Sequence, residues 1–137
     1  MWSTPKIIHS DSTNDQFWQW LALDPTNGDL AVMYLDSRND SNNILTSCYI
    51  SYSSDGGDSW HDERASDAAS DLRRNPFLNN AFAGDYNGCA FYNGKIYPSW
   101  VDMRNTTSSI ADNDVYTAFA STSIPKPPKN LSVNVIP

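Results

Sequence analysis

The sequence predicts an all-β fold built from antiparallel units of four strands. No segment of the 137 residues holds an apolar 3.6-residue period over three turns. By contrast, "DLAVMYLD", "ILTSCYISYS", "KIYPSWVD" and "DVYTAFAST" are short runs rich in β-branched and aromatic residues. The turn pairs Asn27-Gly28 and Asn93-Gly94 stand before two of these runs, where a tight hairpin demands positive φ. The chain also repeats itself. A shift of 66 residues lays Asn27-Gly28 on Asn93-Gly94, Tyr34 on Trp100, Asp36 on Asp102 and Arg38 on Arg104.

Each copy runs strand, Asn-Gly turn, strand ending in aromatic-x-Asp-x-Arg, polar loop, strand. The first copy then adds "SSDGGDSW" and a fourth strand, "SWHDERASD". In "LAVMYL" both alternating faces are apolar, with Leu30, Val32 and Tyr34 on one and Ala31, Met33 and Leu35 on the other. That pattern belongs to a sheet covered on both sides. Four antiparallel strands in ~60 residues, covered on both faces, meet the requirements of a propeller blade.

The chain's opening, "MWSTPKIIHSD", matches the fourth strand with Trp2 in the place of Trp60. The expected organisation follows. Residues 1–12 are the outer strand of a preceding blade, and 13–71 a complete blade. Residues 72–125 are a blade lacking its outer strand, and 126–137 a proline-rich linker. This is a partial propeller, about two blades of a ring of roughly six. Two details sit less easily in it. "ASDAASDLRR", 65–74, is the best helical candidate, though short and polar, and Pro98 inside a strand predicts a bulge.

Composition narrows the partners. A net charge of -7 leaves no basic stripe for nucleic acid, and no apolar run approaches the ~20 residues of a spanning helix, so membrane insertion is not expected. No basic and apolar leader follows Met1. Cys48 and Cys89 are compatible with one disulfide or with two buried thiols. No Cys, His and Asp set has zinc spacing and no glycine-rich loop precedes a helix, so neither metal nor cofactor is expected.

"SYSSDGGDSW" concentrates two of the six glycines in one turn. Ser53-x-Asp55-x-Gly57-x-Ser59-Trp60 is a hairpin whose Asp55 carboxylate can accept turn N–H groups and whose Ser53 hydroxyl can close the loop. Gly57 takes positive φ freely, and Trp60 packs across the sheet. This pattern resembles the Asp-box of sialidases and sialidase-like propellers. The resemblance covers the chain up to Pro125, and "PPKNLSV" in the tail resembles the first strand of a fibronectin type III domain. It implies a piece of a secreted or cell-surface sialidase-like glycoside hydrolase of the exo-α-sialidase type, inactive without its missing blades and acting on a glycan or sialoside. The rival implication is a non-catalytic propeller that binds carbohydrate or protein. The Asp-box itself is structural in that family. The Phe/Tyr-Arg-Ile-Pro segment of true sialidases is absent from these residues.

In such a blade the Asp-box and the first hairpin share one rim, and the other connections form the ligand rim. That rim gathers Asp15, Gln16, Asp36, Arg38, Arg73, Arg74, Asp85, Tyr86, Asp102 and Arg104. The resemblance implies an arginine cluster for an anionic sugar, a tyrosine nucleophile and a carboxylate. Tyr86 and Asp85 are the candidate catalytic residues, and Arg38, Arg104, Asp36 and Asp102 the candidate substrate-binding ones. The alternation of Asp36 with Arg38, and of Asp102 with Arg104, fits ion pairs between blades or at strand ends better than ligand contact. Arg73 and Arg74 equally fit a solvated loop.

Overall fold

A computed structural model of the chain describes residues 1–74, 86–107, 110 and 112–122. The strands are β1 (Gln16–Leu23), β2 (Leu30–Asp36), β3 (Leu45–Ser53), β4 (His61–Arg64), β5 (Ser70–Asp71), β6 (Gly88–Tyr92), β7 (Lys95–Asp102), β8 (Asp114–Thr117) and β9 (Ala120–Ser121). They form two antiparallel sheets. In the first, β1 to β4 lie side by side in chain order and β5 adds to β3; in the second, β6, β7 and β8 do the same and β9 pairs with β7. Among the described residues there is no α-helix, and no helix is long and apolar enough to cross a membrane.

The 66-residue repeat is a repeat of register. Tyr34 pairs with Tyr49 and Asp36 with Ser47 in the first sheet; Trp100 pairs with Tyr116 and Asp102 with Asp114 in the second. β2 is covered on both faces, as its sequence demands. Ala31, Met33 and Leu35 face a core shared with Cys48, Ile50, Phe91, Ile96, Trp100 and Met103 of both sheets. Val32 and Tyr34 pack with Tyr49 under Ile8 and Trp60.

The two hairpin turns differ. Asn93 and Gly94 both have positive φ (49° and 73°) and join Tyr92 directly to Lys95. The first copy has a four-residue loop in which Gly28 alone is left-handed (φ 84°), and its N–H donates to the Asp24 carbonyl at 2.9 Å. Pro98 produces no bulge. Pairing on either side of it keeps one register, Ser99 with Thr117 and Ile96 with Ala120. Proline has no N–H to donate, so the ladder lapses opposite it and the third strand divides into β8 and β9.

Residues 65–74 are not helical. The Ser66 hydroxyl accepts the Cys48 N–H at 3.0 Å, and Ser70–Asp71 pair with Leu45–Thr46. The segment thus follows the edge of β3, and one 3₁₀ turn at Leu72–Arg74 remains. Residues 1–12 form no strand; no strand among the described residues pairs with them. Their polar groups turn instead to the region of β4, with the Ser10 N–H donating to Asp62 at 3.0 Å and Lys6 lying 3.5 Å from Asp58. The fibronectin-like tail, 126–137, lies outside the described residues.

Candidate functional site

The rim that carries Asp36 and Asp102 holds two versions of one cluster. Arg38 donates from Nε and Nη2 to Asp36 (2.8 and 2.7 Å), and from Nη1 to Asp62 (2.7 Å) and Ser10 (3.4 Å). Its Nη2 also donates to the Tyr34 hydroxyl (3.3 Å). The guanidinium lies over the Tyr49 ring, 4.3 Å from its centroid. Each of the three guanidinium nitrogens therefore has a partner, and the side chains of Arg38, Asp36 and Asp62 are 8%, 0% and 5% exposed. Burial works against the Arg38 charge, but the Asp36 and Asp62 hydrogen bonds outweigh it and hold its pKa above the ordinary arginine value. Burial also pushes the Tyr34 phenol up to about 12.

Arg104 repeats the arrangement in part, its Nε being buried without a hydrogen-bond partner among the described residues. It donates from Nη2 to Asp102 at 2.7 Å and from Nη1 to Asp67, over the Tyr116 ring at 4.3 Å. The Trp100 indole N–H donates to the same Asp102 at 3.2 Å. Burial alone would raise the Asp102 pKa, but Arg104, through its side chain and backbone N–H, and Trp100 hold it below the usual carboxylate range. The aromatic-x-Asp-x-Arg run is thus an ion-pair clamp at a strand end. Its arginine also touches the arriving chain, Ser10 in one sheet and Asp67 in the other.

The other candidates are dispersed. Tyr86 is 83% exposed and borders a small cleft with Trp18, Gln19, Trp20 and Asn87, which neither Arg38 nor Arg104 lines. Asp85 lies outside the described residues. Arg73 is paired to Asp71 through two bonds of 2.9 Å and Arg74 donates to the Thr106 carbonyl at 3.0 Å; both remain more than half exposed. Cys48 and Cys89 are free thiols, and burial pushes Cys89 up to about 11. Among the described residues, no group of three His, Cys, Asp or Glu side chains is placed to hold a metal ion.

At the opposite end of the first sheet the turn from Ser53 to Trp60 closes through its own side chains. The Ser53 hydroxyl accepts the Gly57 N–H and donates to Asp55, each at 2.8 Å; Asp55 accepts the Ser59 N–H at 2.9 Å; the Trp60 indole donates to the Gly57 carbonyl at 3.1 Å. The Ser59 hydroxyl and N–H and the Ser53 hydroxyl hold the Asp55 carboxyl well below its ordinary value. Gly56 and Gly57 are left-handed (φ 76° and 94°). A Cβ on Gly57 would meet Trp60 at an ordinary 3.7 Å, so conformation rather than space requires glycine. Gly57→Val is expected to lower stability by ~1–3 kcal/mol in urea denaturation; an unchanged midpoint would contradict a left-handed residue 57.

Two features escaped the sequence. Asp24, fully buried, accepts the Gly94 N–H of the other sheet at 2.7 Å and the Thr26 N–H and hydroxyl at 2.9 and 2.7 Å. Trp18 sits in a bulge, where Trp18 and Gln19 together face Tyr34, and has a left-handed φ of 53°. The adjacent aromatics Phe17 and Trp18 break the period of two and are its one sequence signal.

No protein-family model, curated protein or solved structure matches this chain.

Proposed function

We propose that the chain is part of a sialidase-like propeller that acts on glycans, and that these two units bind and brace rather than cleave. The Asp-box carries the family reading, since every hydrogen bond its residues are chemically suited to make is made within the turn. The clamps favour a non-catalytic part. Every guanidinium nitrogen of Arg38 is already engaged by its own sheet or by Ser10, and the two carboxylates beside it are buried, so a sugar carboxylate would compete with them to reach it. A second reading, a hydrolase of the exo-α-sialidase type, draws on the exposed phenol of Tyr86 beside a cleft. Its carboxylate partner would be Asp85 or a residue elsewhere.

A sialoside reporter and a glycan array separate the two. Retained glycan binding without turnover is the expected result. Turnover that falls ~10-fold or more in Tyr86→Phe with an unchanged melting curve would establish the hydrolase instead. Neither binding nor turnover would remove both glycan readings.

A further inference from the structure

The bulge at Trp18 opens a second cleft on the same rim, of about 270 Å³, walled by Phe17, Trp18 and Ile44 and by the polar side chains of Asp15, Asn43 and Arg73. Trp18 borders both this cleft and the one beside Tyr86. An aromatic residue held left-handed in an edge strand is a strained position, and such strain collects where a side chain must be aimed.

The polar wall is fixed in place. Asn43, itself left-handed (φ 56°), donates from Nδ2 to Asp15 Oδ2 at 2.8 Å, and its own carbonyl oxygen accepts the Asp15 N–H at 3.2 Å. Asp15 Oδ1 has no partner among the described residues. Arg73 commits Nε and Nη2 to Asp71, leaving Nη1 as a donor. Asp71 is shared by Arg73 and Arg74, and with Asp15 counted the two positive and two negative charges cancel, so the cleft has no net positive charge.

We propose that this cleft binds a single neutral hexose ring, its C–H face on the Trp18 indole, one pair of hydroxyls donating to Asp15 and another accepting from Arg73. The size fits. At about 270 Å³ it falls just under the ~300–1,000 Å³ of sites for drug-sized ligands, the scale of a single ring. The charge selects against a carboxylated sugar. This deepens the glycan reading above and rests on it.

Saturation-transfer NMR with the 137-residue chain tests it, using methyl glucoside, methyl galactoside and methyl sialoside at millimolar concentration. A neutral hexoside is expected to receive saturation, and the sialoside to receive little. Trp18→Ala is expected to weaken the hexoside ~10-fold, with Trp18→Phe retaining more. Asp15→Asn, which can still accept from Asn43, is expected to weaken it without moving the melting curve. Sialoside binding with no hexoside binding would overturn the inference and leave the glycan reading standing. Silence from all three sugars would overturn both. Hexoside binding indifferent to Trp18 and Asp15 would place the sugar elsewhere and overturn the cleft.

Discussion

Replacing Arg38 with alanine is expected to destabilise the chain by about 3–5 kcal/mol, the largest single effect at the rim. Asp36 and Asp62 would be left as buried carboxylates without their cation, and Tyr49 would lose the group stacked on its ring. Arg38→Lys is expected to recover little, because an ammonium cannot reach two carboxylates, two hydroxyls and an aromatic face from one plane. Arg104→Ala is expected to cost less. Its second carboxylate, Asp67, is 87% exposed and rehydrates when freed. Urea denaturation of the three variants checks the order, and a loss under ~1 kcal/mol for Arg38→Ala would show the clamp to be ornamental.

Asp24→Ala is expected to cost about 2–4 kcal/mol, because it strips the acceptor from the Gly94 N–H and from both donors of Thr26 in a buried position. Asp24→Asn, which keeps one acceptor, is expected to fall between. Acid gives a second readout. Burial by itself would raise the Asp24 pKa, but the N–H of Gly94 and the hydroxyl and N–H of Thr26 bring it below the ordinary 3.8. A carboxyl depressed by folding lends its stability in full above the unfolded value and loses it as pH falls through the folded one. The wild-type melting temperature is therefore expected to drop below about pH 4, and Asp24→Asn to flatten that drop. A midpoint of Asp24→Ala equal to wild type at pH 7 would show that this contact does not hold the sheets.

The fold was legible wherever partners lie close in sequence or recur. The repeat of aromatic-x-Asp-x-Arg foretold two like sets of strands, and Ser53, Asp55, Gly57 and Trp60 foretold the turn, though not the left-handed Gly56 or the bonds from Ser59 to Asp55. What could not be read are pairings decided by packing. Asp24 finds Gly94 seventy residues away, and nothing near either residue announces the other. Ser70–Asp71 become a strand because the Leu45–Thr46 edge is there to receive them, overriding a segment whose local composition tolerates helix. At the rim, the pairing of Asp36 with Arg38 was legible from their alternation, but the arginine's further partners were not. Asp36 and Arg38 are two residues apart, and only the arrival of Asp62 and Ser10 shows how fully the arginine is used.

The arriving chain is held at the same place on both sheets. The arginine of each clamp reaches back to the segment that precedes its sheet, Arg38 to Ser10 at 3.4 Å and Arg104 to Asp67. A joint that repeats in this way makes each unit an interchangeable part. A duplicated unit inherits its docking geometry along with its strands. Selection can then add or remove parts without renegotiating how they meet.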